Sequence, residues 1–221
     1  MKVHVLVLLL LLFNAFDIKA QKMEPATNVA ATGFSAERLK RIDDQMNDWV
    51  KKGWLNGAVG LIVRNGKVVY YKPAGYNDLA SKKALAKDDI FRIASQTKAI
   101  TSVAVMMLYE EGKFLLDDAI AAYIPSFANE TVLDKFNEKD STYTTITAKR
   151  QATIRDLLTH TSGLGYAQIG SKEANAIYAK NNITAGVDVH DDKLSDAMKR
   201  LGKLPLMHQP GEKFTYGLNV D

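Results

Sequence analysis

The sequence predicts an α+β fold, in which several helices accompany an antiparallel pair of strands. The strand signal is Asn65-Gly66 between two β-branched runs at residues 58–63 and 67–71, because both turn positions favour a positive φ. The helix signal is a recurrence of apolar residues at steps of three and four in several segments. The chain is 47% hydrophobic and 24% charged, which is typical of a folded globular protein. We therefore expect a packed core.

Residues 1–20 predict a secretory signal peptide. Lys2 and His4 precede an uninterrupted apolar run at residues 5–13, and Ala20 stands at the predicted cleavage site. A membrane-spanning helix needs about 20 apolar residues, so this run is too short to cross a bilayer. We expect export to the periplasm or the exterior and no stable membrane anchor after cleavage. The alternative is a buried N-terminal helix.

The next elements are a polar leader segment at residues 21–34, a helix and the hairpin. Ser35 is a helix N-cap residue type, and Leu39, Ile42 and Met46 follow at helical spacing. This helix is predicted to end at Gly53.

Three more helices are predicted in the second half of the chain. One begins at Ile100 and is closed by Gly112, the second spans residues 152–160 and is stopped by Gly163, and the third spans residues 194–201. Residues 128–150 and 165–191 are predicted to be polar loops. Since a lone hairpin is marginally stable, either further strands escape detection or the chain stops early.

Composition and motifs exclude several classes of function. The net charge is only +4 and no basic block is present, so nucleic acid is not an expected partner. The chain has no cysteine, which removes disulfides and cysteine metal sites. His160, His190 and His208 are too far apart for a zinc-protease motif, so we expect no metal and no cofactor. The phosphate loop and the G-x-S-x-G elbow are also absent.

Ser95 and Lys98 are the predicted catalytic pair. They stand three residues apart at a helix start, where they would share a face. Apolar neighbours would desolvate Lys98, and desolvation lowers the pKa of a lysine, so that it can accept the serine proton. The positive end of the helix would favour an oxyanion. The competing interpretation is an ordinary N-cap serine beside a solvent-facing lysine.

The surrounding segments favour the catalytic interpretation, because they resemble the serine β-lactamase and penicillin-binding-protein superfamily, in particular its class C β-lactamase-related, esterase-like branch. The resemblance covers most of residues 35–221. It runs through Phe91-Arg92-Ile93-Ala94-Ser95-Gln96-Thr97-Lys98, Leu108-Tyr109-Glu110-Glu111-Gly112-Lys113, Leu116-Asp117-Asp118, Tyr123-Ile124-Pro125, Ile154-Arg155-Asp156-Leu157-Leu158-Thr159-His160-Thr161-Ser162-Gly163-Leu164 and Pro210-Gly211 to Phe214-Thr215-Tyr216-Gly217.

The resemblance implies a role for each site residue. Ser95 is the acylated nucleophile, Lys98 its activating partner, and Tyr216 the tyrosine of the family's Tyr-x-Asn motif, which transfers protons with the lysine. The alternative for Tyr216 is a plain aromatic near a Pro-Gly turn. The implied fold is β-lactamase/transpeptidase-like, a helical region packed on an antiparallel sheet with the site in the groove between them.

Two departures from the family pattern qualify the resemblance. Asn219 stands one position late for the Tyr-x-Asn motif, which favours an esterase or peptidase over a dedicated β-lactamase. No Lys-[Ser/Thr]-Gly or His-x-Gly motif follows Tyr216. We therefore expect residues 35–221 to be a C-terminally incomplete β-lactamase-related domain that lacks the C-terminal strands.

The sequence thus predicts an exported serine hydrolase that forms an acyl-enzyme with an ester, a β-lactam or a D-amino-acid peptide. Its partner would be a small-molecule or peptidoglycan-type substrate, and the oligomeric state is left open. The alternatives are a non-catalytic relative that binds cell-wall peptides or partners, and an inactive truncated fragment.

Overall fold

The computed structural model describes residues 23–183 and 191–220, so the predicted signal peptide at residues 1–20 lies outside the described residues. The chain divides into two units, residues 1–91 and 92–221. The described helices are α1 (Ala36–Lys51), α2 (Thr97–Glu110), α3 (Ile154–Leu158), α4 (Lys172–Lys180) and α5 (Leu194–Leu201), and the described strands are β1 (Glu24–Pro25), β2 (Gly57–Arg64), β3 (Lys67–Asp78), β4 (Lys83–Ala84), β5 (Thr131–Phe136) and β6 (Tyr143–Thr147).

The first helix of unit 1 begins where the sequence predicts it. The Ser35 hydroxyl accepts a hydrogen bond from the Arg38 backbone N–H at 3.2 Å, which satisfies one of the free donors of the first turn. The helix ends at Lys51, and Gly53 follows in the left-handed region with φ 72°.

The predicted hairpin is also confirmed. Strands β2 and β3 pair antiparallel, and Asn65 and Gly66 have φ values of 50° and 71°. Strand order in the sheet is β1-β3-β2, with β4 paired to β3. Strand β1 comes from the segment predicted as a leader, and it pairs parallel with the start of β3.

Helix α1 covers one face of this sheet. Met46 of α1 packs with Tyr70 and Ala74 of β3 to form the buried core of unit 1. Gly60 is needed here, since a Cβ at this position would lie 2.7 Å from the Tyr70 ring. The Tyr70 hydroxyl donates to Asp43 of α1 at 2.7 Å, which ties the helix to the strand.

Unit 2 has a separate and larger core. Its fully or largely buried apolar side chains come from loops, strand β5, α4 and α5; they are Ile120, Phe127, Val132, Ala152, Leu164, Ile177, Tyr178, Ile183, Leu201, Leu204 and Leu206. An apolar cavity of about 710 Å³ lies in this unit, between α2, α3 and α5.

The prediction of a loop at residues 128–150 is wrong, because β5 and β6 form an antiparallel pair there. Both strands are rich in Thr, Val and Ile, as strands are, but most of their side chains are exposed. A strand with few buried positions carries a weak alternation signal. The second pair of strands therefore escaped detection.

The prediction of a loop at residues 165–191 is also wrong for its described part. Helix α4 begins after Ser171, whose hydroxyl accepts from the Ala174 N–H at 3.2 Å. Its buried face is short, since only Ala174, Ile177 and Tyr178 are buried. Two turns of helix give too few apolar repeats to stand out against a polar background.

Two predicted helix boundaries need correction. Helix α3 ends at Leu158 and not at His160, which has a φ of 57°, so the chain leaves the helix well before Gly163. Helix α2 begins at Thr97, three residues earlier than predicted, directly after a 3-10 turn at Ala94–Gln96. Gly112 follows the end of α2 with φ 67°, as predicted.

Helix α2 carries a stripe of exposed apolar side chains. Ile100, Val103 and Met107 are 61%, 63% and 57% exposed, and they lie on one side of the helix at spacings of three and four. Within the described part of the chain, no helix combines the length and the apolar character that a bilayer crossing requires.

Candidate active site

The structure brings the three predicted site residues together in unit 2. The Tyr216 hydroxyl donates to Ser95 Oγ at 2.6 Å. Lys98 Nζ lies 5.2 Å from the centre of the Tyr216 ring. A nucleophile, a phenol and a cation therefore share one location although 121 positions separate Ser95 from Tyr216 in the chain.

The backbone before Ser95 is in an unusual conformation. Ala94 has a φ of 44°, in the left-handed region that side chains other than glycine seldom adopt. Ala94 is the first residue of the 3-10 turn that contains Ser95, and α2 begins two residues after Ser95. The turn presents the serine at the positive end of the α2 dipole, where a developing negative charge is favoured.

Lys98 is the buried residue of α2. Its exposed fraction is 9%, whereas that of Tyr216 is 40% and Ser95 is exposed. A buried ammonium group is costly unless polar partners surround it. The competing interpretation of Ser95 and Lys98, an N-cap serine beside a solvent-facing lysine, is contradicted by this burial.

Aromatic rings surround Tyr216. The His160 ring centre lies 4.9 Å from that of Tyr216, and Tyr166 stacks on Tyr216 at 6.3 Å. Phe214 also contacts His160, edge to face, with ring centres 5.6 Å apart. The His160 ring therefore contacts the ring of the tyrosine that bonds Ser95.

Backbone hydrogen bonds fix the segment that carries Tyr216. The Thr215 N–H donates to the His160 carbonyl at 2.8 Å. The Thr215 hydroxyl bonds His208 Nε2 at 2.9 Å, while His208 Nδ1 donates to the Gln209 carbonyl. His208 therefore has a structural role, and His190 lies outside the described residues.

Asn219 occupies a place that the sequence did not reveal. Its side-chain oxygen accepts from the Ser162 hydroxyl, and its amide nitrogen donates to His160 Nδ1 at 3.0 Å. Ser162 is fully buried. The Asn219 amide, which stands one position late for the Tyr-x-Asn motif, is held by the protein itself. The His160-Thr161-Ser162 triplet was the available signal, but pairing it with Asn219 requires the tertiary fold.

A charged pair supports the loop that leads to His160. Arg150 donates to both oxygens of Asp156, at 2.6 Å and 3.0 Å. Burial alone would raise the pKa of Asp156, but hydrogen bonds from Arg150, Thr153 and Thr161 outweigh it and hold the pKa at about 2. Asp156 is therefore a structural carboxylate that stays ionised.

Glu130 is a second buried carboxylate. One oxygen accepts from the Ala152 N–H at 2.7 Å, and the other has no hydrogen-bond partner. Burial raises the pKa of Glu130, and the bond from Ala152 offsets only part of this effect. Among the described residues, no group of three or more histidine, aspartate and glutamate side chains could hold a metal ion.

The chain is similar in sequence to known proteins. The family model described as Beta-lactamase matches residues 39–218. Esterase EstB of Burkholderia gladioli is 31% identical over 199 residues, which cover 89% of this chain and 47% of the esterase.

Solved structures give the same picture. The structure of EstCE1, a hydrolase with promiscuous acyltransferase activity, superposes with a TM-score of 0.67 at 28% identity, covering 82% of this chain and 44% of that one. Simvastatin synthase (LovD6 mutant) of Aspergillus terreus reaches a TM-score of 0.65 at 23% identity, covering 86% and 44%, which supports the fold alone. The chain spans less than half the length of these relatives.

Proposed function

The chain belongs to the Beta-lactamase family, and from this we propose that it hydrolyses carboxylic esters through an acyl-enzyme on Ser95. The family is one of serine hydrolases, and its α+β, β-lactamase/transpeptidase-like fold is the one that the resemblance implied. The whole protein's substrate and the roles of Ser95, Lys98 and Tyr216 are parts of this proposal.

One observation carries the proposal: the 2.6 Å hydrogen bond between Tyr216 and Ser95 Oγ beside the buried Lys98. A serine hydroxyl is a weak nucleophile until a neighbouring group accepts its proton. A phenol in direct contact and an amine next to the phenol ring supply such a path. Ordinary surface serines do not combine these partners.

In the acylation step, Tyr216 gives its own proton to the unprotonated amine of Lys98 and accepts the proton of Ser95, while Ser95 Oγ bonds to the ester carbonyl carbon. The carbonyl π electrons move to the oxygen, whose negative charge is favoured by the positive end of α2. The C–O bond to the alcohol then breaks, and the alcohol leaves with the proton held by the pair of Tyr216 and Lys98.

In the deacylation step, water attacks the acyl carbon and gives one proton to the same pair. The bond to Ser95 Oγ breaks, the proton returns to the serine, and a carboxylic acid leaves. Water is the only co-reactant that this cycle needs, so no metal or cofactor enters it.

Two observations favour an ester over a β-lactam or a peptide. The relative with 31% identity is named an esterase, and EstCE1 is described as a hydrolase with acyltransferase activity. Asn219 is also bonded to Ser162 and His160, so one N–H and one acceptor site of its amide are already used within the protein. β-Lactams and D-amino-acid peptides remain comparison substrates in the test.

We also propose that the protein is exported, because residues 1–20 have the order of a signal peptide. Expression from the full reading frame in a bacterial host, followed by mass measurement of the secreted or periplasmic protein, tests this. The expected mass is that of a chain beginning at Gln21. Retention of Met1 in a cytoplasmic product would contradict export.

The acyl-enzyme is tested by intact-mass spectrometry of the full reading frame's product after treatment with a fluorophosphonate. We expect one adduct, which Ser95→Ala abolishes. Ser102→Ala is the matched control, because Ser102 lies on the same helix and is half-buried. Lys98→Ala and Tyr216→Phe should each slow adduct formation about 100-fold or more, whereas Tyr109→Phe should not.

Turnover separates the ester proposal from its rivals. We expect hydrolysis of p-nitrophenyl acetate that Ser95→Ala removes, and slower or no hydrolysis of a cephalosporin and a D-alanyl peptide. An adduct without turnover would favour a non-catalytic binding relative. A wild-type protein that melts cooperatively but forms no adduct would contradict the proposal.

A further inference from the structure

We propose that Asn219 is a positioning residue, which holds the Tyr216 phenol against Ser95 through a network with Ser162 and His160. The inference deepens the proposed function, because it assigns a role in that same site to residues outside the predicted set.

The network is anchored in the interior. Ser162 is completely buried, and its hydroxyl accepts from the Leu164 N–H at 3.2 Å while donating to Asn219 Oδ1. This hydroxyl therefore both donates and accepts a hydrogen bond within the protein. A buried and satisfied hydroxyl is a rigid reference point, since moving it would leave polar groups without partners.

The Asn219 amide connects the fixed Ser162 hydroxyl to His160. Asn219 Nδ2 donates to His160 Nδ1 at 3.0 Å, so the neutral ring must accept at this nitrogen. The ring plane is thereby oriented by a bond at its edge. One face of the oriented ring contacts Tyr216 at 4.9 Å between ring centres, with the planes 36° apart.

The His160 backbone holds the same segment. Its carbonyl accepts from the Thr215 N–H at 2.8 Å, one residue before Tyr216. Its φ of 57° is unfavourable for a residue other than glycine, and such a conformation persists only where the surroundings impose it. His160 therefore holds the segment that carries Tyr216 both by its ring contact and by its backbone hydrogen bond.

Close packing leaves the segment between Tyr216 and Asn219 little room to adjust. A Cβ at Gly217 would lie 2.6 Å from the Gly165 carbonyl oxygen and 2.8 Å from Asn219 Nδ2. The chain therefore folds back so that the amide lies against the backbone next to the tyrosine. Loss of the amide would release both His160 and this turn.

Loss of the Asn219 amide would displace the Tyr216 hydroxyl, which is the group in contact with the nucleophile. The Tyr216 hydroxyl is the group within 2.6 Å of Ser95 Oγ, and proton transfer depends steeply on such a distance. A displacement of about 1 Å in a reacting group can cost about 100-fold in rate. We expect this loss in the acylation rate constant, with the KM for an ester changed less than about threefold.

The first test is a double-mutant cycle on the full reading frame's product. Asn219→Leu should slow fluorophosphonate labelling of Ser95 by about 10- to 100-fold in the wild-type background. In the Tyr216→Phe background it should slow labelling less than about twofold, because the hydroxyl it positions is already gone. Equal losses in both backgrounds would overturn the proposal.

The matched control is Asn181→Leu. Asn181 is another half-buried amide of unit 2, and it donates to the Ile177 carbonyl at the end of α4. Asn181→Leu should leave the labelling rate unchanged, while it changes the melting temperature by about as much as Asn219→Leu does. A loss of labelling in this control equal to that of Asn219→Leu would assign the effect to stability and overturn the positioning role.

The second test does not depend on catalysis. The protein is labelled with 3-fluorotyrosine, and the ¹⁹F resonance of Tyr216 is assigned with Tyr216→Phe. Asn219→Leu should shift or broaden this resonance, and Asn181→Leu should not. An unchanged resonance would overturn the proposal even if Ser95 is reactive. If Ser95 forms no adduct, the proposed function fails, and the ¹⁹F result still decides the positioning role.

Discussion

At the scale of single residues, the candidate site consists of Ser95, Lys98 and Tyr216, and the hydrogen bonds of Asn219 lie next to it. Ser95, Lys98 and Tyr216 could be singled out because local spacing and the neighbouring segments pointed to them. Asn219 and Ser162 could not, since a hydrogen bond across 57 positions exists only after the chain has folded. The apolar neighbours of Lys98 predicted its desolvation, and the side chain is only 9% exposed.

Glu130 gives a prediction at this scale. Burial raises its pKa in the folded protein, so the fold prefers the neutral carboxyl. The free-energy cost of burying the ionised carboxylate is absent below the pKa that Glu130 has in the unfolded chain. It grows as pH rises and is complete above the pKa of Glu130 in the folded protein. Glu130→Gln removes the charge and should raise the free energy of unfolding by about 1 kcal/mol at pH 7.5, with no gain at pH 4.

Urea unfolding at the two pH values measures this effect. Glu138→Gln, at an exposed position after β5, is the control and should change stability at neither pH. An equal effect of Glu130→Gln at both pH values would show that packing, and not ionisation, is responsible.

At the scale of elements, the strength of the local signal decided what could be predicted. Helix α1 and the β2–β3 hairpin carry a helix cap and a turn pair, and both of these signals are local. Strands β5 and β6 bury only Val132 and helix α4 is only nine residues long, so their apolar periodicity was weak. Their positions depend on contacts with the core of unit 2, which the sequence does not display.

The start of helix α3 gives the second prediction. Asp156 closes a capping box with Thr153 and accepts from Arg150, which holds its pKa at about 2 against the effect of burial. Because this pKa is below the unfolded value, its stabilisation is complete above about pH 4 and is lost as pH falls toward 2.

Asp156→Asn should therefore lower the free energy of unfolding by about 2 kcal/mol at pH 7 and have little effect near pH 2. Chemical denaturation across that pH range is the measurement. Asp196→Asn is the control, since Asp196 forms an exposed ion pair with Lys199 on α5, and such pairs contribute little. A pH-independent loss in Asp156→Asn would contradict the assigned pKa.

At the scale of the whole molecule, the chain has two cores with separate membership. Met46, Tyr70 and Ala74 form one, and the larger cluster of unit 2 forms the other. The sequence predicts one domain at residues 35–221, and a hydrophobic pattern shows which residues are buried and not which of them pack together. The three candidate catalytic residues all belong to unit 2.

The division predicts where a protease will cut first. Ile90 is fully exposed and Phe91, half-exposed, ends unit 1, so brief chymotrypsin digestion should cleave after Phe91. The buried Phe127 is the internal control, since cleavage there requires unfolding of unit 2. Mass spectrometry of the first fragments measures the order. Cleavage at Phe127 before Phe91 would contradict this prediction.

The stripe of Ile100, Val103 and Met107 on α2 has a consequence for the colloidal behaviour of the protein. Exposed apolar side chains on one helix face attract one another between molecules, and a net charge of only +4 provides weak repulsion. Added salt screens even this repulsion. We expect 8-anilinonaphthalene-1-sulfonate to fluoresce with the native chain and turbidity to rise with sodium chloride. Val103→Lys should reduce both the dye fluorescence and the turbidity. Because salt promotes the association, the protein should stay in solution longest in a buffer of low ionic strength.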